Sequence, residues 1–163
     1  MVRRATLADA QAIARVHVES WRAAYADVLP REALARLSVE QRASMWREAI
    51  RAGRTILVLE DGGAVEGFAA VVSARDEDVA HLGEVYAIYV HPSGWGGGLG
   101  RKLIRAAEEA LRESGFSEAM LWVLEQNPRA RRFYEAGGWR AAASRPIEVL
   151  GVVAPEVQYR KRL

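Results

Sequence analysis

Two hydrophobic periods alternate along this chain, one near 3.6 and one of 2, and the switches between them mark the elements. After a short first strand, VRRA, Thr6 stands ahead of Ile13, Val16 and Val18, which recur at helical spacing, so Thr6 is placed to cap a helix. Leu29 and Pro30 break it. A second helical piece covers residues 31–37, and a third opens at Ser38 and runs through Met45, Trp46 and Ile50 to Gly53. TILVL at 55–59 reads as a strand, EDGGA at 60–64 carries an Asp-Gly turn, and the strand resumes over 65–73, which makes a hairpin. An acidic loop at 75–78 leads to LGEVYAIYV, residues 82–90, rich in β-branched and aromatic residues and stopped by Pro92. A helix follows over 99–114, with Leu103, Ile104, Ala107 and Leu111 on one face and Gly115 as its stop. Then come a buried strand at 119–124 and a helix near Asn127 with Pro128 at its first position and Gly137 and Gly138 at its end. Two further strands complete the chain, the last at 152–161. The pattern predicts an α/β fold with a mixed sheet and helices on its faces.

Composition narrows the classes. The 163 residues suit a single domain, 1–163, and half are hydrophobic with 27% charged, the balance of a soluble globular protein. No apolar run reaches the ~18 residues of a membrane span, the first residues lack a signal-peptide core, and there is no cysteine. A cytoplasmic protein with no membrane partner is the expectation. Lys and Arg number 23 against 21 Asp and Glu, and the bases are scattered, with small groups at Arg129, Arg131, Arg132 and at Arg160, Lys161, Arg162. That distribution argues against nucleic acid and for a small polyanion. His17, His81 and His91 lack metal-ligand spacing, so no metal is expected.

The chemistry concentrates at VHPSGWGGGLGRKL, residues 90–103, where five glycines fall within seven residues ahead of a helix. A strand, a glycine turn and a helix start aim several backbone N–H groups and the positive end of a helix dipole at one point, which suits a phosphate or diphosphate. The turn is neither G-x-x-x-x-G-K-[ST] nor G-x-G-x-x-G, so ATP and NAD are disfavoured. Gly96-Gly97-Gly98-Leu99-Gly100 after Val90-x-Pro92 resembles instead the acetyl-CoA diphosphate loop of the GNAT superfamily of N-acetyltransferases, Arg/Gln-x-x-Gly-x-Gly/Ala. The run from Asn127 to Trp139, NPRARRFYEAGGW, is similar to that family's N-x-x-A-x-x-F-Y-E-x-x-G-F segment. Trp95 stands where the family has Arg or Gln, and Arg101, Lys102 and Arg105 are the nearby bases that could replace the charge.

The resemblance implies a mostly antiparallel sheet of about seven strands, splayed in the middle, with helices on both faces. It implies acetyl-CoA as co-substrate and direct transfer to a primary amine of a small molecule or peptide, through a ternary complex. The cofactor would lie along Ile88, Tyr89 and Val90, over Trp95, Gly96, Gly97, Gly98, Leu99, Gly100 and Arg101, with Asn127 and Tyr134 beside it. A lysine-like amine is neutral in only about one molecule in a few thousand at pH 7. A base is therefore needed: Glu84 matches the family's usual place, and His81 competes by its intrinsic pKa. Tyr134 matches the tyrosine that protonates the departing thiolate. Glu84 equally reads as a solvated edge residue, and Trp21, Tyr25, Met45 and Trp46 as helix packing, although the resemblance puts the acceptor pocket near Trp21 and Tyr25. A protein lysine or N-terminal acetyltransferase and a non-catalytic acyl-CoA sensor are the alternatives, and a homodimer is a family-level expectation.

Overall fold

Thr6 does not open the first long helix directly. It heads a single tight turn over Leu7–Asp9, where the Asp9 carboxylate accepts from the Thr6 N–H (2.7 Å) and hydroxyl (3.0 Å) and is clasped by Arg3 (2.9 Å). The computed structural model describes residues 1–163. Its strands are β1 (Val2–Arg4), β2 (Thr55–Asp61), β3 (Ala64–Ser73), β4 (Gly83–Val90), β5 (Glu118–Leu124), β6 (Arg140–Val149) and β7 (Val152–Arg162). The helices are α1 (Ala10–Ala24), α2 (Arg31–Ala35), α3 (Val39–Arg51), α4 (Leu99–Glu113) and α5 (Pro128–Ala136).

The seven strands form one sheet in the order β1-β2-β3-β4-β5-β7-β6. Every neighbouring pair is antiparallel except β4 and β5. This is the mixed, mostly antiparallel sheet with helices on both faces that the sequence predicts. Strand alternation separates two cores. Leu57, Leu59, Ala69, Val71 and Val85 pack under Leu103, Ile104, Ala107 and Leu111 of α4. Ile56, Val58, Phe68 and Ala70 turn the other way, onto Ile13 and Val16 of α1 and Trp46 of α3. Burial of each such side chain contributes about 1.5–3 kcal/mol. Helix ends follow their local chemistry: the Ser38 hydroxyl accepts the Gln41 N–H at 3.2 Å, Asn127 Oδ1 accepts the Ala130 N–H at 3.2 Å, and Gly115 ends α4 at φ +92°.

The two closing strands expected from the sequence pair as the longest hairpin of the sheet. β6 and β7 pair from Arg140↔Arg160 to Val149↔Val152, with a register shift between Ala141 and Ala143. β6 forms the sheet edge and stays exposed over most of its length, so its sequence, RAAASRPIEV, carries no clear apolar alternation. No helix is long and apolar enough to cross a membrane.

Candidate active site

The centre of the sheet is held open by one extra residue. Ala87 pairs with Ala70 and Val85 with Val71, so Tyr86 is a bulge in β4. Tyr86 and Ala87 consequently pack on the same side, against the α1–α3 core. A bulge bends its strand. Beyond it β4 leaves β5: the two are paired only at Gly83↔Ala119 and Glu84↔Met120. His91 donates its N–H to Glu66 C=O (2.8 Å), which fixes the antiparallel phase. Tyr89 and Ala87 then turn their main-chain groups to β3, while Ile88 and Val90 turn theirs to the gap. Val90 C=O is already taken by the Ser20 hydroxyl (3.0 Å) and Trp95 Nε1–H (2.8 Å). The N–H and C=O of Ile88 and the N–H of Val90 remain for a ligand strand.

A cavity of about 990 Å³ fills this gap and runs from the glycine turn to the start of β4. Its walls include Glu84, Ile88, Tyr89, Val90, Trp95, Gly96, Gly97, Gly98, Gly100, Arg101, Asn127 and Tyr134 from the cofactor and catalytic set, and Trp21 and Tyr25 from the acceptor set. Leu99 is the exception. As the first residue of α4 it points into the core, 8% exposed and packed with Leu103, so only its backbone belongs to the turn. His81 is exposed in the turn before β4 and lines no part of the cavity; neither do Lys102 and Arg105. Trp46 is a core residue whose Nε1–H donates to His17 Nδ1 at 3.1 Å, and Met45 is exposed.

Glu84 is buried at 2% exposure and held by one residue: Arg75 gives its Nη2 to Oε1 (2.8 Å), and its Nε (3.2 Å) and backbone N–H (3.3 Å) to Oε2. The solvated-edge reading of Glu84 therefore does not hold. Tyr134 comes from α5 into the same cavity, and its hydroxyl makes no hydrogen bond to protein. Burial, with Tyr89 and Tyr25 beside it, pushes its pKa up and keeps it protonated. Asn127 donates Nδ2–H to the Tyr25 hydroxyl (3.4 Å), which ties the start of α5 to the segment after α1.

At the glycine turn, Gly98 caps α4 at φ +80°, and a Cβ built there meets nothing within 4 Å, so the ground in front of the helix is open. Gly100 is small for another reason: its Cβ would lie 3.3 Å from the Phe133 ring, inside the contact between α4 and α5. Trp95 is pinned by its bond to Val90, and the Arg129 guanidinium lies 3.4 Å from the centre of its ring. Arg129 has no carboxylate partner, and burial lowers its pKa from 12.5.

A family model, described as the acetyltransferase (GNAT) family, matches residues 12–139. The chain belongs to this family. It is 37% identical over 157 residues to an N-acetyltransferase of Bacillus subtilis, YuaI, across 96% of this chain and 89% of that protein. It is 31% identical over 102 residues to the L-methionine sulfoximine/L-methionine sulfone acetyltransferase of Salmonella typhimurium, across 62% of this chain and 60% of that one. The fold matches the structure of yncA from Salmonella typhimurium, an acetyltransferase solved with its cofactor acetyl-CoA, at a TM-score of 0.76 and 23% identity, over 99% of this chain and 92% of that one. The GNAT chain is accordingly an acyltransferase.

Three residues of this GNAT site escape a reading of the sequence. Arg129 is visible there only as part of a basic triplet, and its stacking on Trp95 joins the glycine turn to α5, which the order of residues does not relate. Arg75 reads as the edge of an acidic loop. Arg145 lies in β6, and its bonds to Asp76 (3.0 Å) and Glu156 (2.7 Å) depend on a register fixed by tertiary structure. The alternation of β4 is a signal that was present: it selects Ile88 and Val90 over Tyr89 once the phase is known.

Proposed function

We propose that the chain transfers the acetyl group of acetyl-CoA directly to the primary amine of a small molecule, in a ternary complex. The observation that carries this reading is the gap between β4 and β5, edged by unpaired main-chain groups and ending at an open, left-handed glycine at a helix N-terminus. Such a site fits the co-substrate at both ends. The main chain of Ile88 and Val90 can pair with the amides of a pantetheine arm as with a strand. The first N–H groups of α4 face open ground before Gly98, where a diphosphate is favoured by the helix dipole. Arg129, held on Trp95, and Arg101 supply positive charge beside it, at a turn where the family elsewhere has an Arg or Gln in place of Trp95.

When bound, acetyl-CoA supplies an activated acyl thioester. The chain's own work is to orient it and move protons. The Ile88 N–H faces the gap and donates to the acyl oxygen as that oxygen gains negative charge, a contribution of roughly 3 kcal/mol by comparison with other oxyanion donors. Glu84, fixed by Arg75, receives the amine's proton through water. Tyr134, kept neutral by burial, gives its hydroxyl proton to the sulfur as the thiolate leaves. Strands and helices exclude bulk water from this part of the cleft, so the hydroxyl has few competing partners.

Glu84→Gln and Tyr134→Phe test the assignment together. Each is expected to lower the rate of thiol release by about 10²–10⁴-fold, with CoA binding by calorimetry kept within a few-fold. Full turnover in both variants overturns the roles given to these residues.

A further inference from the structure

The end of the cavity away from the glycine turn is built from Arg75, Glu84, Tyr86, Trp122, Arg145 and Glu156. It repeats one arrangement twice. Arg75 lies over the Tyr86 ring (5.5 Å to its centre) and bonds the buried Glu84; Arg145 lies over the Trp122 ring (3.9 Å) and bonds the buried Glu156 through Nε (2.7 Å). Arg145 also gives Nη1 to Asp76 (3.0 Å), the residue after Arg75, so the two guanidinium groups are neighbours around one mouth.

Hydrogen-bond accounting at this end does not close. The Tyr86 hydroxyl and Trp122 Nε1 are buried atoms without any partner. Neither Arg75 Nη1 nor Arg145 Nη2 makes a hydrogen bond, because the bonds of each guanidinium use its Nε and its other terminal nitrogen. Indole and guanidinium nitrogens can only donate. The Glu84 oxygens, Glu156 Oε1 and Asp76 Oδ2 are already turned to the arginines. The buried Trp122 indole therefore lacks an acceptor, which is costly, and beside it Arg75 Nη1 and Arg145 Nη2, on side chains that reach solvent, are free to bind an anion. An amine alone brings more donors and leaves all of these unmet. A carboxylate brings two oxygens in a plane, the shape that guanidinium groups bind best.

We propose that the acceptor of this enzyme is an amine that also bears a carboxylate, a free amino acid, whose carboxylate is bound at the Arg75–Arg145 mouth by Arg75 Nη1, Arg145 Nη2 and the Trp122 indole. This rests on the acetyl-transfer reading and adds the chemical class of the acceptor to it. The amine then projects toward the gap beside Glu84, and the side chain meets Trp21, Tyr25 and Val149, which favours apolar amino acids. A peptide or protein amine lacks the free carboxylate at this distance and is a poor fit.

The test compares acceptors that differ only in that group: L-leucine with 3-methylbutylamine, L-phenylalanine with 2-phenylethylamine, and L-methionine with 3-(methylsulfanyl)propylamine. Thiol release from acetyl-CoA is expected to favour the amino acid in kcat/KM by on the order of 100-fold in at least one pair. Equal or better use of the plain amines overturns the proposal. The double variant Arg145→Gln with Glu156→Gln avoids leaving a buried carboxylate alone. It is expected to raise KM for the amino acid about 10-fold or more and to leave the plain amine unchanged; an equal effect on both, or on neither, overturns it. The same six compounds titrated into the enzyme with CoA bound keep the question separate from turnover. Stronger binding of the amino acids without any acetylation rejects the acetyl-transfer reading and keeps the carboxylate site, whereas binding that ignores the carboxylate rejects the site itself.

Discussion

His17 lies behind the active site, and its burial sets a pH limit on the whole molecule. It is 8% exposed, stacked on Tyr89 of β4 at 5.1 Å and 16°, and accepts the Trp46 N–H on Nδ1. Protonation would turn that acceptor into a donor and orphan the indole. Desolvation, followed by the charge of Arg42, accordingly holds its pKa down at about 4, against 6.5 ordinarily. A depressed histidine pKa means that the unfolded chain takes up the proton first as pH falls. Stability is then full above pH 6.5, falls from there to about pH 4, and loses nothing further from this group below that. Between pH 7.5 and 5.0 the unfolded chain gains nearly the whole of 1.5 units of linkage, about 2 kcal/mol at 1.36 kcal/mol per unit. Asp9 stays outside this interval: the Arg3 bonds hold its pKa at about 2 against 3.8, so its contribution is lost only as pH falls from about 3.8 toward 2. His17→Gln offers Trp46 an oxygen that does not titrate. Urea unfolding followed by tryptophan fluorescence should show the wild type losing about 2 kcal/mol between the two pH values and the variant losing much less. The same loss in both proteins would refute the reasoning.

Arg129→Gln removes the unpaired charge beside the glycine turn and should weaken CoA binding by about 10-fold or more, measured by calorimetry, with the difference shrinking at high salt. Trp95→Leu, which frees Arg129 from its platform, should move affinity the same way by a smaller factor. The two glycines should separate: Gly98→Ala meets open space and chiefly costs backbone strain of about 1 kcal/mol together with CoA affinity. Gly100→Ala pushes on Phe133 and should lower stability by about 1–3 kcal/mol, read as a fall in Tm.

Elements with strong period or strong punctuation were legible in the chain itself. α4 has four apolar residues on one face between glycines, β4 has its aromatic and β-branched run, and the segment from Asn127 to Trp139 carries a cap, a proline start and a glycine end. From these came the order of elements and the mixed sheet, while the gap and most of its walls were expected only from the resemblance carried by the glycine turn and the segment from Asn127 to Trp139. The failures share a cause, which is that orientation within an element depends on partners far away. Leu99 and Gly100 sit side by side at a helix start, yet one side chain faces the core and the other position faces Phe133. His81 is only three residues from Glu84, but the turn leaves it in solvent while the strand buries the glutamate. Arg75 and Arg145 stand 70 positions apart and meet only because Asp76 bonds to β6. The exposed, alanine-rich start of β6 has no period to read, so the part Arg145 plays in the cavity wall was invisible.

The bulge at Tyr86 has a consequence for how this protein can change. Side chains along the cleft can be exchanged singly, altering what is bound while the opening persists. The opening itself depends on β4 having one residue more than β3 across that stretch. Removing one position there would restore the even pairing with β3, straighten the strand and bring its far half within reach of β5. The capacity to admit a ligand strand is thus written as a count of residues, and insertions and deletions act on it more directly than substitutions do.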